Sequence, residues 1–344
     1  MTETLTAMSW NIQGEVGISG SRMQRQLDFF ETHTKDIDVF LLQAVNYETS
    51  SSGAWQGQLG ELLNYFSNRG FHVAHTGDWA RELKESTVQP HADISGSHNR
   101  CNLTASRWPV DRQPLTLRNH GNRKPRQLDY YYSHFPEKML VGTIDLSEVA
   151  RSPVDTVETW NVGIVNGANW GEEKLNMLET VYGRIYLQTT KTDTPVLLGG
   201  DFNAPKREKA TGEIVPHGQN TAKYTNYPFY GKPYYLQDDD EVGEFKFNQR
   251  WQRAEAQIFD PTVSEWNMRD TYWAAETGQK ESSVEDFTHI IETATPSKKR
   301  LDHILVSEQF NVQSCELWNG VGATVNGLGP SDHAPVVTDI IPAE

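Results

Sequence analysis

Two short polar runs, each joined to apolar strand sequence, constrain the fold of this chain more than any other feature. Residues 200–203 read Gly-Asp-Phe-Asn and follow the apolar pair 197–198, whereas residues 331–333 read Ser-Asp-His and precede the run 334–337. Short apolar runs bounded by polar residues are typical of buried strands. The runs therefore predict that strand ends place an acid, an amide and an imidazole in one catalytic site. We call this set of polar residues at the strand ends the floor of the site. Taken alone, either aspartate also fits an ordinary turn, because Asp favours turns.

Two further motifs stand in a fixed order with these runs, and such a set is hard to produce by chance. Residues 9–14 read Ser-Trp-Asn-Ile-Gln-Gly, and residues 300–305 read Arg-Leu-Asp-His-Ile-Leu. From about Met8 to Ile341 the chain resembles the endonuclease/exonuclease/phosphatase superfamily, which shares the DNase I-like fold. The resemblance implies a four-layer α/β sandwich of two packed mixed β-sheets flanked by helices. It also implies a metal-dependent site at the sheet edge.

The spacing of apolar residues supports an α/β fold independently. Apolar runs bounded by polar or turn residues predict strands at 38–43, 140–144, 159–162, 195–198 and 301–306. Between them, residues 23–33 and 172–187 carry apolar residues at helical spacing. Strands and helices alternate, as in a mixed α/β domain. We expect one domain over residues 1–344, with a long insertion at about 211–260, because no low-complexity linker or repeat divides the chain.

Composition and charge limit the functions open to the chain. Its net charge of −15 argues against nonspecific coating of nucleic acid, because Lys and Arg supply most of that binding. Two cysteines, Cys101 and Cys315, provide no disulfide framework. The N-terminus lacks a signal-peptide pattern, and no apolar run is long enough to cross a bilayer. These features predict a cytoplasmic protein that does not act at a membrane.

Two basic segments are candidate phosphate contacts. Residues 107–138 begin at Arg107 and hold seven Lys and Arg residues against three acidic ones, with aromatic residues that could stack on bases. Lys206 and Arg207 lie shortly after the 200–203 run, which favours phosphate contact there. For the longer segment, an exposed loop with inward-packed aromatics has equal weight, because charged runs are usually solvated faces.

The resemblance implies a role for each polar residue of the floor. Asn11 and Asp332 would lie around a divalent metal, Mg²⁺ or Mn²⁺, since hard oxygen ligands suit these ions. Asp201 would orient or deprotonate the attacking water, and Asn203 would hold that water or a phosphate oxygen. Because residues i and i+2 of an extended strand point to one face, these two side chains should lie together. His333 would bind the scissile phosphate or act as an acid or base.

Further residues are expected to support this floor. A histidine of this kind needs a carboxylate that fixes its tautomer and stabilises its cationic form. The family supplies that carboxylate from an upstream strand or loop, and Asp270 matches it best. Asp302 and Gln43 are expected to support the site. Asn166 matches a phosphate-contacting asparagine of several relatives, although Asn-Gly is also a strong turn signal.

The chain departs from the family pattern at two positions. The family has Gln followed by Glu at the end of the second strand, where the glutamate is the principal metal ligand, but here Gln43 is followed by Ala44. Glu48 is a poor substitute, because four extended residues displace it by roughly 13 Å. Ala44 is either a deliberate Glu→Ala replacement or a natural loss of metal binding, and the preserved neighbours favour the deliberate one. Because the position of the metal-binding glutamate is Ala44, we expect the chain to be inactive or impaired. Gly163 stands where many relatives carry a phosphate-contacting His or Tyr, so that role is vacant or supplied elsewhere.

The floor as a whole predicts metal-assisted hydrolysis of a phosphodiester by an activated water. A DNA endonuclease is favoured, with DNA preferred to RNA, because of the arginine-rich segment. The aromatic-rich insertion at 211–260 is expected to bind a protein partner or set specificity. A noncatalytic subunit that binds nucleic acid or a partner, and a lipid or small-molecule phosphoesterase, stay open as alternatives, since fold does not settle the substrate.

Overall fold

The computed structural model describes residues 4–14, 21–85, 99–113, 135–149, 152–167, 171–209, 211–217, 240–275, 286–291, 296–322 and 328–343. In these ranges the strands are β1 (Leu5–Asn11), β2 (Val39–Asn46), β3 (Glu48–Thr49), β4 (Trp55–Gln56), β5 (His72–His75), β6 (Arg100–Ser106), β7 (Val110–Arg112), β8 (Met139–Asp145), β9 (Thr156–Gly163), β10 (Val196–Asp201), β11 (Arg207–Glu208), β12 (Ile214–Val215), β13 (Met268–Asp270), β14 (His289–Ile291), β15 (Ser297–Lys299), β16 (Asp302–Ser307), β17 (Phe310–Leu317) and β18 (Val336–Pro342). The α-helices are α1 (Ser21–His33), α2 (Gly57–Ser67), α3 (Gly77–Glu85), α4 (Gly171–Thr189), α5 (Asp240–Phe259) and α6 (Thr271–Ala274). A short 3-10 helix covers Pro136–Lys138.

The first sheet brings the N-terminal and C-terminal motifs together. Its strand order is β17-β18-β1-β2-β6-β5. β1 runs parallel to β2 and antiparallel to β18, with Ser9 opposite Val336. The polar residues that end β1 therefore lie beside those that precede β18.

The second sheet brings two of the remaining motifs together. Its strand order is β13-β16-β10-β9-β8-β7, and β9 runs parallel to β10. Asp201, the last residue of β10, lies opposite Asp302 on one neighbouring strand and Gly163 on the other. Both sheets are mixed, since their other neighbouring strands are antiparallel.

Alternation along β1 shows how the layers form. Leu5 and Ala7 belong to a buried cluster between the sheets, together with Leu197 of the second sheet. Met8 and Trp10 point to the other face and pack with side chains of α1 and α2. Helices α4 and α5 cover the outer face of the second sheet. Each fully buried Leu or Ile contributes about 1.5–3 kcal/mol. The fold is the four-layer DNase I-like α/β sandwich that the resemblance implies.

The elements predicted from periodicity are confirmed. The five apolar runs form β2, β8, β9, β10 and β16, and the two helical segments form α1 and α4. Helix α5 supplies 20 of the 50 residues of the 211–260 insertion and belongs to the helix layer, because Trp251 and Ile258 are buried in the core. Its most aromatic part lies in 218–239, outside the described residues, as does 114–134 of the basic segment. Among the described helices, none combines the length and the apolar character that crossing a bilayer requires.

Candidate active site

A cavity of about 410 Å³ lies at the edge where the ends of β1, β2, β9 and β10 meet. Neighbouring parallel strands end together here, because Asn11 lies opposite Gln43 in one sheet and Asp201 opposite Gly163 in the other. The loop before β18 completes the floor. Eight of the residues predicted from sequence line this cavity: Asn11, Gln43, Ala44, Asn166, Asp201, Asn203, Asp332 and His333.

His333 is a buried imidazole held between two carboxylates. Its Nδ1 lies 2.7 Å from Oδ2 of Asp302, and its Nε2 lies 3.9 Å from Oδ2 of Asp201. The indole of Trp10 donates a hydrogen bond to the backbone carbonyl of His333 at 2.8 Å and fixes the loop. Burial alone would lower the pKa of His333, but Asp302 and Asp201 outweigh it and raise the pKa to about 10. The ring is therefore a cation at neutral pH.

Asp201 is fixed by the amide groups on both sides of it. Asn11 Nδ2 donates to its Oδ2 at 2.9 Å, and the Asn203 backbone N–H donates to its Oδ1 at 2.8 Å. Burial raises the pKa of this carboxyl, although the charge of His333 opposes the shift. Asp201 and Asn203 lie together as expected, but the expectation that an extended strand brings them together is wrong. The strand ends at Asp201, and Asn203 has φ +50°, so a turn brings the side chains together.

Asn203 is held from below by a buried lysine that sequence reasoning missed. Lys174 of α4 donates a hydrogen bond from Nζ to the backbone carbonyl of Asn203 at 2.6 Å. The same ammonium lies 3.8 Å from Glu255 of α5. Burial lowers the pKa of Lys174, and Glu255 opposes that shift. Helices α4 and α5 thus position the turn that follows β10.

The assignment of Asp270 as the partner of His333 is wrong, because Asp302 holds that place. In the sheet order β13-β16-β10, Asp270 ends a strand one position further from the cavity. Its Oδ2 lies 2.9 Å from His303 Nδ1 and accepts a hydrogen bond from Arg300 at 2.9 Å. Burial alone would raise the pKa of Asp270, but Arg300 and His303 overcome it and hold the pKa well below its usual range.

The network around Asp270 supports the site indirectly. His303 Nε2 lies 2.9 Å from the backbone carbonyl of Ala204, directly after the Asp201–Asn203 turn. Arg300 bridges Asp270 and Glu208, which lies on β11. A cation therefore already fills the space between these two carboxylates. We interpret this cluster as a structural brace beneath the cavity.

The basic residues of the cavity are not those predicted from sequence. Arg107 lies at the opposite end of the first sheet, where its Nε pairs with Asp38 at 2.8 Å. Lys206 and Arg207 are exposed and do not line the cavity. Among the described residues, the arginine and the lysine that line the cavity are Arg100 and Lys138.

Arg100 and Lys138 reach the cavity because they begin strands that run antiparallel to the strands ending there. Arg100 opens β6 and lies beside Asn46, near the end of β2. Lys138 directly precedes β8, whose first residue Met139 lies opposite Val162 near the end of β9. Burial lowers the pKa of Lys138, and Glu137 opposes that shift. Both cations face the acidic floor.

The set of metal ligands expected from the family pattern lacks one member, because Ala44 stands at the position of the glutamate. The residue lies in a bulge of β2 with φ +56°, lines the cavity and offers no carboxylate. Glu48 does not replace it, because Glu48 is exposed on β3 and does not line the cavity. Of the metal ligands expected from sequence, Asp332 and the amide oxygen of Asn11 remain, and that amide oxygen accepts the Gln13 backbone N–H at 3.0 Å.

Nitrogen and unpaired oxygen donors at the cavity still fit a divalent metal. Potential ligand atoms of His289, Asp332 and His333 lie within 4.8 Å of one another. The Gln43 Oε1 atom is buried and has no hydrogen-bond partner among the described residues. Its Nε2 donates to Asn161 of the other sheet at 2.9 Å, so Gln43 ties the two sheets together below the site.

The sequence profile described as the Endonuclease/Exonuclease/phosphatase family matches residues 8–333. The chain belongs to this family. Members are typically metal-dependent phosphoester hydrolases. No curated protein sequence matches the chain.

Solved structures of the Endonuclease/Exonuclease/phosphatase family share its fold. Truncated Caenorhabditis elegans TDP2 superposes with a TM-score of 0.54, at 12% identity over 98% of both chains. A family protein from Bacteroides thetaiotaomicron gives 0.52, at 12% identity over 99% of this chain and 96% of the other. One from Bacteroides vulgatus gives 0.51, at 14% identity over 99% of each. At such identities the likeness shows the fold alone.

Proposed function

We propose that this family member is a metal-dependent phosphodiesterase whose substrate is nucleic acid, DNA in preference to RNA, cleaved internally. The observation that supports this most is the cationic His333, which two carboxylates hold at the floor of a cavity. Arg100 and Lys138 line the same cavity. Fixed positive charge of this kind suits a phosphate whose negative charge grows in the transition state.

In this proposal His333 binds the scissile phosphate through one ring nitrogen. Its Nδ1–H donates to Asp302, which fixes the orientation of the ring. The Nε2–H then faces the cavity, where it donates to a phosphate oxygen. Because the ring is already protonated at neutral pH, it also serves as the acid that protonates the leaving oxygen.

Asp201 is the group we assign to the attacking water. Its carboxylate accepts hydrogen bonds from Asn11 and Asn203, so its orientation is set before substrate binds. Burial raises its pKa, which makes the carboxylate a better proton acceptor. Asn203 Nδ2 donates to Ile164 O at 2.9 Å, and the amide lies where it can hold the water or a phosphate oxygen.

Asp332 and Asn11 are the oxygen donors that would hold a divalent metal at this floor. When bound, the metal would polarise the phosphate and neutralise its charge. Every other contact to the substrate comes from the chain. Lys138 and Arg100 contact neighbouring phosphates of a nucleic-acid backbone, which position the polymer without reading its sequence.

The test compares the chain with its Ala44→Glu variant in the presence of Mg²⁺ or Mn²⁺. Supercoiled plasmid, linear duplex, single-stranded DNA and RNA are offered separately, together with inositol phosphates and sphingomyelin vesicles. We expect nicking of the plasmid, with the larger rate for Ala44→Glu. Absence of cleavage of every nucleic acid by both proteins would refute the proposed function, and turnover of a lipid or inositol phosphate alone would reassign it.

A matched pair of arginine variants tests the site itself. Arg100→Ala removes a cavity cation and is expected to lower the cleavage rate by about 10- to 150-fold, as loss of a charged hydrogen bond of about 1.5–3 kcal/mol does. Arg107→Ala removes the same charge at the far end of the sheet and is expected to leave the rate unchanged. Equal losses in both variants would show that net charge, and not the cavity, governs binding.

A noncatalytic binding subunit is the second candidate, because Ala44 lacks the carboxylate of the family pattern. That candidate predicts binding of single- or double-stranded DNA by the chain without cleavage, even after Ala44→Glu. A partner would then dock at the insertion of residues 211–260. Fluorescence anisotropy with labelled DNA, read beside the plasmid assay, separates binding without turnover from the proposed enzyme.

A further inference from the structure

His289 is a cavity residue that neither the family pattern nor the proposed reaction uses. It begins β14, and an isolated β-bridge joins it to His333. Its ring stacks on the His333 ring, with centroids 4.3 Å apart and planes at 26°. Both rings line the cavity that contains Ala44. Its place is therefore fixed by backbone pairing and by ring packing.

The hydrogen bond of His289 determines which ring nitrogen is available. Its Nδ1 lies 2.8 Å from the backbone carbonyl of Asp332. A carbonyl only accepts, so Nδ1 carries the hydrogen and a neutral ring keeps its lone pair on Nε2. Metal-binding histidines show the same arrangement, because donation from one nitrogen to a carbonyl orients the ring and raises the basicity of the other.

The neighbours of His289 decide which groups can share a metal with it. Ligand atoms of His289, Asp332 and His333 lie within 4.8 Å of one another. His333 directs Nδ1 to Asp302 at 2.7 Å and Nε2 towards Asp201 at 3.9 Å, so both of its ring nitrogens already face carboxylates other than Asp332. The carboxylate of Asp332 is the ligand that remains.

A second feature of the cavity points to a ligand independently. Gln43 is 1% exposed, and its Oε1 atom has no hydrogen-bond partner among the described residues. A buried acceptor left without a partner costs about 1–3 kcal/mol, and this one belongs to a residue that lines the cavity. Gln43 directly precedes Ala44, which is the position of the absent glutamate.

We propose that His289 and Asp332 form a mixed nitrogen and oxygen site for a divalent transition metal, and that His289 takes over the ligand position lost at Ala44. Imidazole suits divalent transition metals such as Zn²⁺ and Fe²⁺, whereas carboxylate and carbonyl oxygens suit Mg²⁺, and Mn²⁺ is the transition metal closest to Mg²⁺ in its preference for oxygen. The chain should therefore bind Mn²⁺ more tightly than Mg²⁺. Only the catalytic role of this metal rests on the proposed function. Metal binding itself does not, because it is measured without substrate.

The deciding experiment is metal binding to the metal-free full-length chain. Calorimetric titration with MnCl₂ and with MgCl₂ gives stoichiometry and affinity, and pulsed electron paramagnetic resonance of the Mn²⁺ complex detects a coordinated imidazole nitrogen directly. We expect one Mn²⁺ per chain, an affinity for Mn²⁺ at least about tenfold above that for Mg²⁺, and nitrogen modulation in the spectrum.

Variants identify the histidine. His289→Gln should abolish the nitrogen modulation and weaken Mn²⁺ binding by about tenfold or more, because even outer-shell partners are worth 10- to 100-fold in metal affinity. His72→Gln, at an exposed position on β5, should change neither. Asp332→Asn should weaken binding of both metals, and circular dichroism confirms that each variant is folded. Should His289→Gln be unfolded, the visible spectrum of the Co²⁺-loaded unmodified chain still reports whether a nitrogen ligand is present.

The outcomes separate this inference from the proposed function. No bound Mn²⁺, a spectrum without nitrogen modulation, or modulation that survives in His289→Gln would each overturn it. Binding with nitrogen modulation, but no cleavage of any substrate by any version, would refute the proposed function and leave the metal site standing. Ala44→Glu should raise Mg²⁺ affinity towards that for Mn²⁺, because it adds the oxygen donor that the chain lacks.

Discussion

Replacement of Asp302 by Asn is expected to lower the pKa of His333 by about 2 units or more. In the folded chain that pKa is raised from 6.5 to about 10, although burial alone would lower it. The upward shift corresponds to about 5 kcal/mol, at roughly 1.4 kcal/mol per unit. Among the three carboxylates that raise this pKa, Asp302 contributes both the largest charge interaction and a hydrogen bond, ahead of Asp201 and Asp332. Its removal should therefore take away about 3 kcal/mol of the shift.

The assay is a nuclear magnetic resonance titration of ring nitrogens in selectively labelled protein. The chain holds 11 histidines, and the spectrum of His333→Gln assigns the resonance of interest. We expect the His333 ring of the unmodified chain to stay protonated up to about pH 9, and that of Asp302→Asn to titrate below about pH 8. A His333 that titrates near 6.5 in the unmodified chain, or that is unaffected by Asp302→Asn, would refute the reasoning.

The raised pKa of His333 also determines how the unfolding free energy depends on pH. A histidine whose folded pKa is raised contributes its stability fully below its unfolded pKa, and the contribution is lost as the pH rises through the folded value. The window here runs from 6.5 to about 10. The loss of unfolding free energy caused by Asp302→Asn, measured by urea denaturation, should therefore be larger near pH 6 than near pH 10.5.

Two further predictions concern the frame of the site. Arg300→Met removes the buried cation between Glu208 and Asp270. Because this leaves uncompensated buried charge, the variant should lose about 3–5 kcal/mol of unfolding free energy in urea titrations. A loss below about 1 kcal/mol would contradict this prediction. Gly200→Ala should cost about 3 kcal/mol or more, since a Cβ there would lie 1.9 Å from a β9 carbonyl oxygen. Gly163→Ala is its control in the same urea titrations, because its Cβ would meet nothing closer than 3.6 Å.

The floor of the site could be predicted from sequence because local order encodes it. Asp201 and His333 each adjoin an apolar run, and a strand that ends at the sheet edge presents its last polar residue there. His333's carboxylate partner depends instead on long-range strand order. Asp270 and Asp302 both sit at strand ends, and only the position of β16 between β13 and β10 puts Asp302 next to the ring.

Strand direction explains the error over the basic residues. Arg100 and Arg107 lie at and just beyond the two ends of β6, seven residues apart and therefore separated by roughly 23 Å along the strand. Both are arginines that flank one buried strand, so composition cannot distinguish them. The antiparallel pairing of β6 with β2 places Arg100 at the cavity and Arg107 beside Asp38. For His289 no local signal exists, because a short hairpin with a single histidine is unremarkable in sequence.

The architecture explains how the site can differ from the family pattern and still hold a comparable set of groups. Relative to that pattern, Ala44 lacks a carboxylate and Gly163 lacks a polar ring, both on strands that end at the cavity. Strands and loops from both sheets converge on the same edge, so a side chain from another element reaches the same space. Lys138 enters from the start of β8 and His289 from the β14 hairpin. Residue-by-residue matching along the chain therefore underestimates the chemistry available, whereas the three-dimensional set of donors defines it.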